Sequence, residues 1–225
     1  MRRFLRDNGI GLFFGAILLG SLIGQAIAGH AAYNDDQIAH GGAAVSFGDY
    51  LTSGSFVTDV MENWQSEFLQ FSLFILATVW LVQRGSPESK PVGEAGRESD
   101  RAQRLGGWAG RGAPAPARRA GGLLRVLYEN SLLLVMFMIW IGTWLAQSIA
   151  GHSAYNSDQL SHHEPTVSWL GYLGSADFWN RTLQNWQSEF LALGSMAVLA
   201  IFLRQRGSPE SKPVGAPHDA TGVEG

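Results

Sequence analysis

Apolar positions in this chain fall into four blocks, and the blocks come in pairs. Residues 10–28 and 131–150 form long apolar runs, and residues 68–82 and 190–203 form shorter ones. The long runs reach the roughly 20 residues that a bilayer core demands. Each short run follows the polar hexamer "NWQSEF", at 63–68 and again at 185–190, and helix continued back through it completes a span. The pattern predicts an all-α membrane protein with four transmembrane helices.

Polar positions repeat as faithfully as apolar ones. Shifting the chain by 122 residues aligns 1–93 with 123–215 without a gap, and 42 of the 93 pairs are identical. "GQAIAGHAAYNDDQIAH" at 24–40 faces "AQSIAGHSAYNSDQLSH" at 146–162, and "QRGSPESKPVG" at 83–93 recurs unchanged at 205–215. Chance likeness between apolar segments does not extend into polar loops, so the chain is a tandem duplication. The expected organisation is a two-helix hairpin at 1–93, a disordered cytoplasmic linker at 94–122 rich in Gly, Arg, Ala and Pro, a second hairpin at 123–215, and a disordered tail at 216–225. Because each copy crosses twice, the copies are parallel repeats about an axis along the membrane normal.

Charge orients them. Of 16 Lys and Arg residues, only Arg181 lies in the segments 29–63 and 151–185; the other 15 flank the opposite ends of the apolar runs. The positive-inside rule makes that side, and both termini, cytoplasmic. Ala26-Ile27-Ala28 has the form of a signal-peptide cleavage site, but the apolar run is too long for one and Ser148-Ile149-Ala150 repeats the feature internally. The net charge of −3 lacks the basic surplus of a nucleic-acid binder. With no cysteine, thiolate chemistry and Cys-ligated metals are excluded.

Candidate chemistry lies in the repeated polar residues. Gln25 and Glu67 each sit fifteen residues from the inner boundary of their helices, about 22 Å along the axis. Together with His30 and Asn63, and the duplicates Gln147, Glu189, His152 and Asn185, they form a polar collar near the outer surface. A carboxylate at that depth needs a donor, and Gln25 and Gln147 are the nearest. The simpler reading is a hydrogen-bonded clamp on each hairpin; ion conduction is the sharper one. Trp64 and Trp186 suit the headgroup belt, indole N–H to water. Beyond the bilayer, His30, Tyr33, Asn34 and Gln37 share one helical face. His30, Asp36 and His40, with His152, Asp158 and His162, have donor types that suit zinc or copper, though H-x5-D-x3-H is not a zinc spacing. Haem held by His30 and His152 is a weaker variant, and no cofactor is otherwise expected.

Small residues recur every four positions at Gly20, Gly24 and Ala28 and at Gly142, Ala146 and Ala150, a spacing that lets helix backbones approach. "VSFGDYLTSGSF" and "VSWLGYLGSADF" suit short segments on the membrane surface. In the cytoplasmic tag, Ser86-Pro87-Glu88 has the order of a helix N-cap, N1 proline and first-turn acid. Arg84, Ser86, Glu88 and Lys90, with Arg206, Ser208, Glu210 and Lys212, are candidates for docking a partner or lipid phosphates. The alternative is a helix-end anchor.

The motifs "GQ-x3-G-x3-YN-x-DQ-x2-HG", "YL-x-SG-x-F", "ENWQSEFLQ" and "QRGS-x-ESK" resemble those of a bacterial family of small integral membrane proteins known as a domain of unknown function. The second copy departs from them at His163, Gln184 and Ala192. The resemblance implies residence in the bacterial cytoplasmic membrane and supplies no catalytic residue. No nucleophile–base pair, phosphate loop or carboxylate dyad appears in the sequence, so the expectation is a non-enzymatic scaffold or accessory protein whose partners are the lipid bilayer and either its own copies or another membrane protein. The alternatives are a small-solute, ion or proton transporter, then a metal or haem protein.

Overall fold

In a computed structural model, which describes residues 1–119 and 121–225, the chain is helical and no strand occurs among the described residues. In order, α1 is Arg2–Asp7, α2 Gly9–Ala39, α3 Phe47–Leu51, α4 Gly54–Trp80, α5 Leu123–Glu129, α6 Ser131–Ser161, α7 Trp169–Leu173 and α8 Ala176–Phe202. The second four repeat the first four at the duplication offset.

The first long helix of each copy runs well past its apolar stretch. At 31 residues, α2 and α6 are each about 46 Å long, which carries the His-Tyr-Asn-Gln face beyond the apolar stretch in unbroken helix. Both end on a left-handed residue. Gly41, at φ 77°, takes that position after α2, and His163, at φ 58°, takes it after α6. Glycine enters this region without steric cost, whereas His163 must be held there by its surroundings.

Two helices, α2 and α6, are long and apolar enough to cross a membrane, rather than the expected four. At 27 residues α4 and α8 have the length. Their first halves, however, carry Asp59, Glu62 and Glu67 in one copy and Asp177, Arg181 and Glu189 in the other. What remains apolar in each is about 20 Å of helix, short of a full core thickness.

The compact units do not coincide with the copies. One unit comprises residues 1–61 and 146–178, the other 62–145 and 179–225, so each draws on both halves of the duplication. In the first unit α4 begins hard against α6: a Cβ on Gly54 would stand 2.7 Å from the Ala150 carbonyl oxygen and 2.9 Å from the Ala154 nitrogen. It is Gly54, outside the four-residue stripe, whose small size permits this approach. Gly20, Gly24 and Gly142 have open space where a Cβ would go, so they admit no close neighbour among the described residues.

Neither the linker nor the tail is structureless. Lys90 pairs with Glu98 and donates to the Gly96 carbonyl, and Arg125 pairs with Asp100 and Glu129. A turn of 3₁₀ helix at Gly106–Trp108 places the Trp108 ring under the Arg101 guanidinium, 5.3 Å away. The linker's carboxylates Glu98 and Asp100 are held by Lys90 before it and Arg125 after it, and its own Arg97 donates to Asn130 Oδ1 at 3.1 Å. Arg125, in α5, is held further above the ordinary guanidinium range by the Asp100 hydrogen bond first and Glu129 second.

The short helices are folded inward more than the aromatic pattern suggested. Ser46 and Ser168 cap α3 and α7, and Tyr50 and Tyr172 from them are 2% and 0% exposed. Their hydroxyls lie against Gly29 and Gly151, where any Cβ would overlap them. Burial first, and then Asp59, holds the Tyr50 hydroxyl above its usual range. Gly29→Ala is therefore expected to destabilise the protein by about 1–3 kcal/mol through overpacking. Adding Tyr50→Phe to it should recover part of the loss in thermal unfolding in detergent; equal stability of Gly29→Ala and wild type would refute the contact.

Candidate functional site

The polar residues written twice meet first at the turn after each long helix. Val45 ends the loop behind α2, and the Asn34 carboxamide lies edge to edge with its peptide: Val45 N donates to Asn34 Oδ1 at 2.8 Å, and Asn34 Nδ2 donates to Val45 O at 3.1 Å. His30 Nε2 donates to the same carbonyl at 2.8 Å. A carbonyl only accepts, so the His30 proton is on Nε2. In the second copy Val167 N donates to Asn156 Oδ1 at 2.9 Å, while Asn156 Nδ2 and His152 Nε2 donate to Val167 O at 3.0 and 2.8 Å. Around each clasp the rings of His30, Tyr33 and Phe56 lie 5.3–5.7 Å from Tyr50. Those of His152, Tyr155 and Phe178 lie 5.4–6.1 Å from Tyr172.

This geometry revises the metal and haem readings. His30 and His152 each spend Nε2 on a carbonyl, so neither offers that nitrogen to zinc, copper or haem iron. Among the described residues no group of three or more His, Asp or Glu has a metal-binding arrangement. The H-x5-D-x3-H pattern thus divides: its first His holds a turn, and only Asp36 with His40, and Asp158 with His162, remain together at the helix ends.

The rest of the collar is asymmetric. Gln25 is half-buried on α2. Gln147 is fully buried on α6 with neither amide atom hydrogen-bonded among the described residues, so the donor role expected of it is unfilled. In the second unit Glu67 is exposed, Glu189 is half-buried, and the two are near enough to repel. Asn185 Nδ2 donates to the Arg181 carbonyl at 2.9 Å, and the Asn63 carbonyl accepts from Ser66 at 2.8 Å. Trp186 Nε1 donates to Gln65 Oε1 at 2.9 Å, so its indole is not the water-facing group expected. Arg181, the one basic residue in segments 29–63 and 151–185, pairs with Glu62 at 3.3 Å.

The repeated tag is a folded loop and not the start of a helix. Ser89 Oγ accepts from Gln83 N at 2.9 Å and donates to Lys90 O at 3.0 Å, closing the chain on itself, with Gly85 at φ 85°. Ser211 does the same with Gln205 N and Lys212 O at the same distances, and Gly207 has φ 82°. These bonds need Gly, Ser and the intervening spacing, which accounts for the unchanged repetition. The tail crosses both tags. Lys212 Nζ, 1% exposed, donates to the carbonyls of Pro217, His218 and Ala220 at 3.2, 2.8 and 3.2 Å. Burial, then Arg204, holds it below the usual ammonium range. Thr221 Oγ1 accepts from Gly85 N at 2.8 Å, and Gly222 N donates to Ser86 O at 3.0 Å. Of the docking candidates Ser86 and Lys212 are buried, Glu88, Lys90 and Ser208 half-buried, and Arg84, Arg206 and Glu210 exposed.

One pairing across the copies was not legible in the sequence. Glu88 hydrogen-bonds Glu210, and burial first, then that bond and the Glu210 charge, push Glu88 up to about 7. Glu88 also borders a cavity of about 330 Å³ lined by Phe74, Leu81, Phe190, Leu193 and Ala197. Nothing in either identical tag marks its glutamate as a partner for the other.

A family described as "Domain of unknown function (DUF6766)" matches residues 1–223. No curated protein and no solved structure matches the chain.

Because Glu88 binds its proton more tightly in the folded loop than in an open chain, the pairing is favoured in acid. It weakens as pH rises through about 7. Hydrogen exchange of residues 83–90 is expected to quicken between pH 6 and 8, after correction for intrinsic rate, and Glu88→Gln should remove that change. A pH-independent protection factor in the wild type would contradict the pairing.

Proposed function

The chain belongs to the DUF6766 family, and from that premise we propose that it is a non-enzymatic, multi-pass scaffold or accessory protein of the bacterial cytoplasmic membrane. One observation carries the reading. The polar residues repeated in both copies are largely engaged with their own chain: His30 and His152, Asn34 and Asn156, Ser89 and Ser211 all hold turns. Catalytic groups need free valences toward a substrate, and these side chains have spent theirs on backbone.

Membrane residence is supported by α2 and α6, whose apolar stretches are only 6% and 17% buried, unlike the core helix of a soluble domain. In this reading α4 and α8 also cross, with the bilayer thinned or their polar halves shielded, and the basic side with both termini is cytoplasmic. The partners are lipid and either further copies or another membrane protein. Exposed Arg84, Arg206 and Glu210 are the part of the tags available to them.

Absence of cysteine makes the topology directly testable. Single cysteines at Ala43, Ala95 and Ala220 should react with an impermeant maleimide from outside at Ala43 only, and at Ala95 and Ala220 after the cells are opened. Labelling of Ala43 and Ala95 from one side would show that α4 does not cross.

A second reading, an ion or proton path, is favoured by the nearness of Glu67 and Glu189. Reconstituted protein with Glu67→Gln and Glu189→Gln together should show the same proton and cation flux as wild type if the scaffold reading holds. A wild-type flux abolished by the double substitution would establish transport instead.

A further inference from the structure

We propose that His40 and His162 together form an exchangeable two-nitrogen site for a borderline transition-metal cation, with Cu²⁺ bound in preference to Zn²⁺. The two residues are duplicates of one another, and the fold brings them together at the ends of α2 and α6. Their ring centroids are 5.7 Å apart with planes at 62°. Two imidazoles sharing one ion at metal–nitrogen distances of about 2.0 Å, with a near-tetrahedral angle, have centroids roughly 5–6 Å apart.

The tautomer is set for ligation. His40 Nδ1 lies 2.9 Å from the Asp36 carbonyl, and His162 Nδ1 lies 2.9 Å from the Asp158 carbonyl. Each Nδ1 therefore carries its proton toward an acceptor, which leaves the Nε2 lone pair available, the arrangement that orients metal-binding histidines elsewhere. The Asp36 and Asp158 carboxylates stand 3.4 and 3.6 Å from the same Nδ1 atoms and supply negative charge beside the site. Glu164 and Asp36 both act electrostatically on His162, adding to a field that favours a cation. The two side chains are 47% and 54% exposed, so an ion reaches them without opening the fold.

Only two imidazoles come together here, and among the described residues no third His, Asp or Glu completes a closed set. Water fills the remaining positions, which makes the site open and exchangeable and not a structural staple. With two imidazoles and water as ligands and no enforced geometry, affinity follows the intrinsic order of the divalent ions, which places Cu²⁺ above Zn²⁺ and Ni²⁺. The site exists only because the chain is duplicated, since one copy supplies one nitrogen. His30 and His152, whose Nε2 atoms hold the turns, take no part.

The test is titration of the full chain, free of any affinity tag and held in lipid nanodiscs, with Cu²⁺, read by calorimetry and by electron paramagnetic resonance. One Cu²⁺ per chain is expected, with hyperfine coupling to two nitrogens. His40→Ala and His162→Ala should each weaken binding by at least about tenfold, as loss of a ligand costs no less than loss of a supporting group. His218→Ala should leave it unchanged. Both residues are surface-exposed, and unchanged circular dichroism will show that the variants fold. Absence of stoichiometric binding, binding weakened by only one of the two substitutions, or wild-type affinity in both would each overturn the site and leave an adventitious ion only.

Discussion

The pairing of a side-chain amide with a single backbone peptide, Asn34 on Val45 and Asn156 on Val167, is the contact on which the turns after both long helices depend. A turn that folds back against its helix takes peptide groups out of water, and an orphaned one costs about 1–3 kcal/mol. The carboxamide answers donor and acceptor at once, and the histidine one turn earlier adds a second donor to the same carbonyl. With Val45 held, α3 lies back along α2 and Tyr50 comes down on Gly29. Glycine, histidine, asparagine, valine and tyrosine, scattered over 22 residues, thus act as a single device, and the second copy rebuilds it from 151 to 172.

Once the turns are seen as the use of these residues, the duplication makes structural sense of what the copies keep and what they lose. Both retain the clasp and the serine-closed tag, where the bonds are to backbone and depend on position. The mostly apolar residues 70–80 and 192–202 share no identity. Where the copies meet each other they have diverged in role. Gln65 and Ser66 are buried while Gln187 and Ser188 are exposed, and Trp186 bonds to Gln65. Arg181 has a carboxylate, Glu62, where its own copy has Gln184.

Much of this was legible in the amino-acid order. The four helical blocks follow from the apolar runs, and the extension of α2 and α6 beyond their apolar stretches follows from the helical spacing of His30, Tyr33, Asn34 and Gln37. His30 and His152 stood out as repeated polar residues, but their partners Val45 and Val167 did not, because a backbone carbonyl carries no sequence signature. The same reason hid the function of the tag: Ser89 bonds to Gln83 N and Lys90 O, and any residues present those groups. Ser-Pro-Glu has the form of a helix start, but here the serine after it closes the loop first. Contacts between copies, such as Glu88 with Glu210 and His40 with His162, lie beyond any local pattern, since they depend on how distant helices assemble.

The claim at the centre of this account is that side chains repeated in the sequence are repeated because they hold backbone. Amide hydrogen exchange at Val45 and Val167 tests it most directly, since each N–H has one acceptor, the carboxamide of Asn34 or Asn156. Strong protection at both positions in the wild type, lost at Val45 alone in Asn34→Ala and at Val167 alone in Asn156→Ala, is the predicted result. Exchange at open-chain rates in the wild type, or protection that survives the substitutions, would contradict it.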